Sequence, residues 1–301
     1  MEKIHTLDDS LKLFFTQLSK IKTYESTLRS NTDKILYDLY TKKKSIDTIN
    51  KLPDTDDFIK NNNGVIARTF SFKNPYLEEP YIYSGSVIDI NESIELTYIH
   101  LNKQYQSILV DAYEYFEDFI EIIYGCAGYI DNNFWIASDY GNISIGELDS
   151  KPLNWFIHQS EKKKKAPMSI LQRFRENLNN LNTIEVNNRI NINFRLFITM
   201  IEMFRHIIVH NNGIIKNKNE FISNILKKSN IPKKEEDINK NIIFSFISKY
   251  KNEEYINLID RDVVRNHSFK VFKNIIGEIL EVLLQYAYIL RCELHSHFNL
   301  K

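Results

Sequence analysis

Glycine and proline are scarce in this chain, and their scarcity constrains the fold more than any other sequence feature. Only 8 Gly and 6 Pro occur among the 301 residues. Because these two residues interrupt regular backbone most strongly, their scarcity predicts long, uninterrupted elements. Hydrophobic residues make up 43% of the chain and aromatic residues 13%, which is typical of a packed globular protein and not of a disordered one.

Apolar residues recur at spacings of three and four in several segments, which predicts amphipathic helices. We expect them at residues 6–52 (one or two helices), 91–124, 169–181, 191–213, 219–228 and 268–295. Turn residues and alternating patterns predict β-hairpins near residues 65–72 and between 242–247 and 255–259. The sequence therefore predicts a mainly α protein with minor β-hairpins.

The intervening stretches complete the predicted organisation. Gly125 and Gly128 are expected to end the helix that starts at Asn91. Residues 129–151 are expected to form loops or a small hairpin, and residues 232–240 a charged linker. We divide the chain into an N-terminal helical extension with a small β and loop region, 1–90, and a helical domain, 91–301.

Charge and cysteine content narrow the class of protein. Lys+Arg and Asp+Glu both number 39, so the net charge gives no global footprint for nucleic acid or an anionic membrane. The two cysteines, Cys126 and Cys292, lie far apart without a secretory segment, which does not favour a disulfide framework. No window of eighteen uncharged apolar residues occurs. We therefore expect a cytoplasmic protein with no membrane partner.

Two groups of charged residues have a structural and a functional interpretation. The basic patch consists of Lys162, Lys163, Lys164, Lys165, Arg173 and Arg175. It is a weak candidate for RNA binding and is otherwise an exposed loop beside a helix. The acidic residues on the helix at 91–124 are Asp111, Glu114, Glu117, Asp118 and Glu121. These five carboxylates are typical of a solvated helix face.

A cluster of ionisable residues interrupts a strongly apolar helical pattern that Gly213 ends. Glu202, His206 and His210 are four apart and therefore align on one stripe, with Arg205 on the adjoining row. Burying such groups without partners is costly, so the cluster requires a structural network or a function. The helix dipole at this C-terminal end favours protonated histidine, which suits an acid more than a base.

The string Arg205-His206-Ile207-Ile208-Val209-His210-Asn211 resembles the signature of the HEPN superfamily. In that signature an Arg, a following polar residue and a His separated from the Arg by four to six residues lie near the end of a helix. The trailing Asn-Asn-Gly and the upstream Glu202 extend the resemblance, which covers about residues 91–297. Arg291 and His297 also fit the looser spacing, but Cys292 follows the Arg and no glycine follows the His.

The resemblance implies a HEPN-like helical bundle and a metal-independent endoribonuclease without a cofactor. The ribose 2′-hydroxyl attacks the adjacent phosphorus, leaving a 2′,3′-cyclic phosphate and a 5′-hydroxyl. His210 is then the general acid or base, Arg205 stabilises the transition state, and His206 contacts a phosphate or positions the substrate. Glu202 orients Arg205 or His206, and Asn211 contacts substrate or supports His210.

The resemblance also implies partners and a biological role. Members of the family commonly pair two copies of the motif across a dimer interface, so we expect a homodimer with a composite site. Similar strings occur in bacterial defence and toxin–antitoxin proteins. This chain is therefore expected to be a toxin or antiviral, abortive-infection effector that acts on RNA, with an antitoxin or another defence protein as a partner.

Other interpretations of the cluster remain open at this point. The protein could be a non-catalytic HEPN module that binds a partner protein or a nucleotide. Alternatively, Glu202, Arg205 and His210 could form a buried network that joins helices or subunits.

Two further groups of residues have the side chains of metal ligands, but neither is assigned as a metal site. His206 and His210 have the spacing of a zinc-binding helix, but Ile207 stands where a zinc protease needs glutamate. The second candidate is a group of three ligand-type residues near the C-terminus: Cys292, His295 and His297.

Overall fold

The protein is mainly helical, with 69% helix and a few short strands, which confirms the predicted fold class. The computed structural model describes residues 2–53, 56–62, 64–162, 167–262 and 272–300. The helices are α1 (Glu2–Asn50), α2 (Asp57–Asn62), α3 (Ile90–Ile130), α4 (Ile145–Leu148), α5 (Leu153–Glu161), α6 (Pro167–Asn177), α7 (Leu181–Ile184), α8 (Phe194–Asn211), α9 (Lys218–Lys228), α10 (Glu236–Phe244) and α11 (Ile275–His297). Within the described ranges, none of these helices has the length and apolar character needed to cross a membrane.

The strands form small antiparallel sheets. They are β1 (Ile66–Lys73), β2 (Pro80–Ile88), β3 (Ile214–Ile215), β4 (Ile247–Tyr250), β5 (Glu253–Ile256), β6 (Arg261–Asp262) and β7 (Phe272–Lys273). β1 pairs with β2 as the predicted first hairpin, and β6 pairs with β7. The third sheet has the order β3-β5-β4, which brings the strand directly after α8 against the second hairpin.

Helix α3 continues past Gly125 and Gly128, so the prediction that these glycines end it is wrong. Both glycines lie where another segment comes close to the helix. A Cβ atom on Gly125 would lie 2.8 Å from the Cα of Ile157, and one on Gly128 would lie 2.5 Å from the indole of Trp135. Glycine is used here for close packing, and the helix ends only at Ile130.

Several segments between the long helices differ from the sequence-based expectation. Residues 129–151 contain 3₁₀ turns and the short α4, with no strand assigned in that stretch. Helix α5 was not predicted. The charged linker at 232–240 contains a 3₁₀ turn and the first part of α10, where Glu236 and Asp237 suit the positive N-terminal end of a helix. The second hairpin therefore begins only at Ile247.

The last helix begins later than predicted. Asn274 caps it by accepting a hydrogen bond from the backbone N–H of Gly277 at 2.8 Å, and the helix starts at Ile275. Asparagine at this position satisfies one of the backbone donors that have no partner inside the helix. Residues 268–271 of the predicted helix lie outside the described residues.

Contacts divide the chain into two compact units. The larger unit comprises residues 1–23 and 105–301, and the smaller one comprises residues 24–104. Helices α1 and α3 each contribute residues to both units. The division of the chain into two separately folding parts, 1–90 and 91–301, therefore stays a prediction.

Aromatic side chains connect the helices of the larger unit. Phe14 of α1 lies 6.0 Å from Phe116 of α3, and Phe116 lies 6.1 Å from Tyr286 of α11, measured between ring centroids. Tyr286 in turn stacks on Phe194, the first residue of α8, at 5.8 Å. All four side chains are buried. This core fixes the start of α8, the helix that carries the HEPN-like string.

Candidate active site at the end of helix α8

Helix α8 begins and ends where its sequence predicts. The side chain of Asn193 caps the start by accepting a hydrogen bond from the N–H of Leu196 at 3.0 Å. The helix is buried on its apolar face as far as Phe204, which stacks on Phe221 of α9. Residues 205–211 are half-buried or exposed. The HEPN-like string therefore lies where the helix emerges from the core.

The end of α8 is held by two residues in left-handed backbone conformation and by the neighbouring sheet. Asn212 has a φ of 52° and Gly213 a φ of 78°. The N–H of Gly213 donates to the carbonyl of Ile207 at 3.1 Å, which closes the last turn of the helix. The carbonyl of Gly213 accepts from Ile256 of β5 at 3.0 Å. Gln106 of α3 also donates to the carbonyl of Ile256, at 2.7 Å.

His206 and His210 form an exposed pair on the surface of α8. Their ring centroids are 4.6 Å apart and the rings are tilted by 53°. This is the alignment that a spacing of four residues predicts. Since both histidines are exposed, His210 does not belong to a buried network that joins helices within the chain.

The charges around His206 lower its pKa. Partial burial is the largest cause, followed by the positive charges of His210, Lys228 and Arg205. Lys228 lies in the last turn of α9, and its ammonium group is 3.4 Å from the sulfur of Met203. The expectation that the helix end favours a protonated histidine is therefore wrong for His206, because burial and neighbouring cations favour the neutral ring.

Arg205 faces helix α3. Its Nη2 atom lies 3.7 Å from Oε1 of Glu114, and the two side chains are 29% and 56% exposed. The Nε atom of Arg205 is buried and has no hydrogen-bond partner among the described residues. The acidic face of α3 is thus not wholly solvated as predicted, because Glu117 and Glu121 are buried and Glu114 pairs with the site.

Glu202 lies below this surface, beside Tyr113 of α3. Burial raises the pKa of Glu202, and Lys228 and Arg205 oppose that shift. Burial, followed by the charge of Glu202, also raises the pKa of Tyr113 well above its ordinary value. Oε2 of Glu202 and the hydroxyl of Tyr113 have no hydrogen-bond partner in the described part of the chain. Glu202 therefore acts on Arg205 through its charge.

The remaining predicted site residues are distributed differently. Asn211 is the last residue of α8 and is half-buried. Lys162 donates to Gln159 at 3.0 Å, and Arg173 donates to Glu176 at 2.7 Å. Arg175 binds the buried carboxylate of Glu185 at 2.9 Å. Its guanidinium is thereby occupied, so the prediction of Arg175 as an exposed RNA contact is wrong. The residues Lys163, Lys164 and Lys165 lie outside the described residues.

No metal centre assembles in the described part of the chain. There, no three His, Cys, Asp or Glu side chains gather closely enough to hold a metal ion. His295 turns towards Asp8, with 3.4 Å between Nε2 and Oδ1, whereas the ring of His297 lies 5.5 Å from that of Phe134. The C-terminal ligand-type residues are thus engaged in separate contacts.

Four residues of the site were not found from the sequence: Gln106, Tyr113, Glu114 and Lys228. Three of them lie on α3 and one on α9, so their contacts with α8 join residues far apart in sequence. Helical periodicity indicates which face of a helix is buried, but not which other helix covers it. The acidic run of α3 was the one available signal, and it favoured a solvated face.

No protein-family model matches this chain, and no curated protein or solved structure matches it. Function is therefore inferred from the side chains at the end of α8 and from the resemblance of residues 205–211 to the HEPN signature.

Proposed function

We propose that the protein is a metal-independent endoribonuclease of the HEPN type, with a HEPN-like helical bundle as its fold. The observation that carries the proposal is the exposed His206–His210 pair, 4.6 Å between ring centroids, on the same helix as Arg205. Proton transfer near neutral pH requires groups that titrate there, and imidazole is the side chain that does so. Arginine supplies a permanent positive charge for a phosphate.

The two histidines divide the proton transfers. His206 is kept neutral at pH 7 by its lowered pKa and accepts the proton of the ribose 2′-hydroxyl. The 2′-oxygen bonds to phosphorus, the bond from phosphorus to the 5′-oxygen breaks, and His210, as the general acid, donates a proton to that oxygen. The products are a 2′,3′-cyclic phosphate and a 5′-hydroxyl. No metal ion takes part in these steps.

Arg205 stabilises the negative charge that develops on the pentacovalent phosphorus. Its guanidinium is only partly exposed, and the contact with Glu114 at 3.7 Å is longer than a hydrogen bond. A phosphate oxygen can therefore compete with Glu114 for the Nη atoms. Glu202 holds the guanidinium from the buried side through charge, and Lys228 adds positive potential next to His206.

The resemblance implies a homodimer with two copies of this site, and we propose that this chain forms one. Val209, between the two histidines, is 48% exposed, and Ile208 is half-buried, so apolar side chains accompany the polar ones at the surface. Such a mixed surface suits contact with a second copy of the chain. We propose that the dimer acts in the cytoplasm as a toxin or antiviral effector, restrained or triggered by a partner protein.

Cleavage of labelled single-stranded RNA by the full chain in EDTA tests the proposal. We expect His210→Ala to reduce the cleavage rate by about 10²-fold or more, as for loss of a general acid or base. Arg205→Ala is expected to reduce it by a similar factor, because it removes transition-state stabilisation. The matched controls are His100→Ala and Arg189→Ala, both exposed and outside α8, which should cleave like the unchanged protein.

Three outcomes contradict the proposal: no cleavage by the unchanged protein, equal cleavage by all variants, or complete loss of cleavage in EDTA. Circular dichroism and thermal unfolding of each variant separate loss of activity from loss of fold.

The contact between Arg205 and Glu114 favours a second candidate, a non-catalytic HEPN module. An arginine already paired with a carboxylate of its own chain is suited to a structural or binding role. In that case no protein in the assay cuts RNA, and Arg205→Ala weakens binding of a partner protein or nucleotide without changing any turnover.

A further inference from the structure

A cleft of about 820 Å³ opens between α9 and α10, away from the residues assigned to catalysis. Its apolar floor is formed by Ile222 and Leu226 of α9 and by Phe244 of α10. The first two are buried, and the ring of Phe244 is 37% exposed. Small polar side chains, including Asn219 and Ser223, complete the wall. The volume is in the range of about 300–1,000 Å³ that is usual for small-molecule sites.

Three lysines from three different elements line this cleft. Lys227 lies in the last turn of α9, Lys233 in the 3₁₀ turn that follows, and Lys240 in α10. Lys240 lies 3.6 Å from Asp237, whose side chain is 97% exposed, so that ion pair is weak. Within the described part of the chain, Lys227 and Lys233 form no ion pair.

The balance of charge in the cleft is positive. Among the described residues that line it, Glu236 is the only carboxylate, against the three ammonium groups. A concave surface with an excess of positive charge attracts anions, because its low-dielectric walls focus the field. Lysine binds phosphate as a point charge and does not require the fixed geometry of a guanidinium.

The end of α9 connects the cleft to the candidate active site. Lys227 lines the cleft, whereas the next residue, Lys228, lies against Met203 of α8 and acts on His206 through its charge. Consecutive residues of a helix point in directions about 100° apart, which explains how one turn supplies both sides. The last turn of α9 therefore carries positive charge on both sides, with Lys228 beside His206 and Lys227 in the cleft.

We propose that the α9–α10 cleft is a phosphate-binding subsite that takes a nucleotide, with the lysines on its phosphates and its base or sugar against Phe244. The nucleotide is a unit of the RNA strand held at the end of α8, or a free nucleotide. The case in which the nucleotide belongs to an RNA strand rests on the proposed function, because it requires this subsite to lie beside the cleavage site. The ammonium of Lys218 lies over the Phe244 ring, 5.2 Å from its centroid, so the base or sugar contacts the part of the ring that stays exposed.

Binding of a labelled single-stranded RNA to full-length protein carrying His210→Ala, measured by fluorescence anisotropy, tests this subsite without cleavage. Adding Lys227→Gln, Lys233→Gln and Lys240→Gln together should weaken binding by about tenfold or more. The slope of log affinity against log salt concentration should fall by about 2, since each phosphate contact on a single strand contributes about 0.7. The matched control removes three exposed lysines of α1, with Lys12→Gln, Lys20→Gln and Lys34→Gln, and should bind within about twofold of its parent.

Labelled ADP, titrated against the same proteins, distinguishes the two sources of the nucleotide. If the triple cleft variant loses ADP binding but keeps RNA binding, the subsite takes a free nucleotide. If neither probe binds, or neither distinguishes the cleft variant from the control, the subsite is wrong. RNA cleavage by the protein with His210 intact, measured in parallel, separates the two proposals. If RNA binding depends on the three lysines but no RNA is cleaved, the subsite is supported and the nuclease is contradicted. If RNA is cleaved but the binding of neither RNA nor ADP depends on these lysines, the nuclease is supported and the subsite is contradicted.

Discussion

At the scale of single residues, the candidate site depends on the charges that surround His206. His210, Lys228 and Arg205 all bring positive charge towards its ring, and together with burial they lower its pKa. This arrangement suits a histidine that acts as a general base, because the ring stays neutral, and so able to accept a proton, at lower pH. In the proposed nuclease, the same cations attract the phosphate. One set of charges then serves substrate binding and proton transfer together.

Lys228→Gln is expected to raise the pKa of His206, because it removes one of the cations that disfavour its protonated form. An NMR titration of the His206 Cε1 proton measures this shift directly, and the acidic limb of the pH–rate profile should move to higher pH with it. Lys227→Gln, which changes the adjacent residue on the cleft side, is the matched control. An unchanged or lowered pKa in Lys228→Gln would contradict this account of the site.

The sign of the linked stability effect follows from the same shift. The unfolded chain takes up the His206 proton near the ordinary value of about 6.5, and the folded chain takes it up only at lower pH. The stability that this residue contributes is present above about pH 6.5 and is lost as the pH falls towards the folded-state pKa. Lys228→Gln should raise the folded-state pKa and so narrow, from its acidic end, the pH range over which this stability is lost.

The sequence predicted which side chains of α8 form the site, but not which side chains of other helices surround them. The alignment of His206 with His210 follows from a spacing of four on a helix and is confirmed. Glu114 and Lys228 could not be predicted, since they reach the site from α3 and α9. Pairwise contacts between distant helices leave no periodic signal in a single sequence.

At the scale of elements, the position of the site depends on how α8 ends. Gly213 has a φ of 78°, and a Cβ atom there would lie 2.5 Å from Nε2 of Gln106. That amide is the donor to Ile256, so a side chain would disturb the contact between α3 and the sheet. Gly213 is therefore needed both for the left-handed backbone conformation and for the close approach of Gln106.

Gly213→Ala is therefore expected to lower the free energy of unfolding by about 2 kcal/mol or more. The left-handed conformation alone costs a residue with a Cβ atom about 1–2 kcal/mol, and displacement of Gln106 adds to that. Urea unfolding measures the change. Gly146→Ala in α4 is the matched control, since no atom lies within 4 Å of its added Cβ. Equal stability of the two variants would show that the end of α8 tolerates a side chain.

Glycine also explains why element boundaries were predicted unevenly. Gly213 ends a helix as expected, whereas Gly125 and Gly128 lie inside one because Ile157 and Trp135 approach them. A sequence does not distinguish a glycine needed for positive φ from one needed for close packing. That distinction requires the neighbouring segment to be known.

At the scale of the whole molecule, one buried carboxylate connects three helices of the larger unit. Glu185, which is completely buried, accepts hydrogen bonds from Arg175 of α6, Arg195 of α8 and the hydroxyl of Tyr286 of α11. The guanidinium contacts are 2.9–3.0 Å long. This network fixes the first turn of α8 and hence the direction in which the helix carries its histidines.

Glu185→Gln should destabilise the fold by about 3–5 kcal/mol, because the positive charges of Arg175 and Arg195 then lie beside a neutral amide instead of a carboxylate. Equilibrium unfolding in urea measures the effect. The matched control is Glu176→Gln, which removes an exposed carboxylate paired with Arg173 of the same helix, at 2.7 Å, and should leave stability nearly unchanged. Similar effects of the two substitutions would contradict the role given to the buried network.

The mainly α class was predictable at this scale, but the arrangement of the helices was not. Scarce Gly and Pro, together with helical periodicity, already favour long helices such as α3 and α11. The partners of Glu185, by contrast, lie 10 to 101 residues away in the sequence. Only packing brings them together.

In the proposed reaction, the residues at the end of α8 cleave RNA by attack of the RNA's own 2′-hydroxyl on the adjacent phosphorus. The most direct test of this reaction is the analysis, in EDTA, of products from an RNA and from the same RNA with a single 2′-deoxy nucleotide at the cleaved position. We expect the RNA to yield a 2′,3′-cyclic phosphate and a 5′-hydroxyl by mass spectrometry, and the deoxy-substituted strand to remain intact there. Cleavage of the deoxy-substituted strand at that position, or products with other ends, would contradict the account.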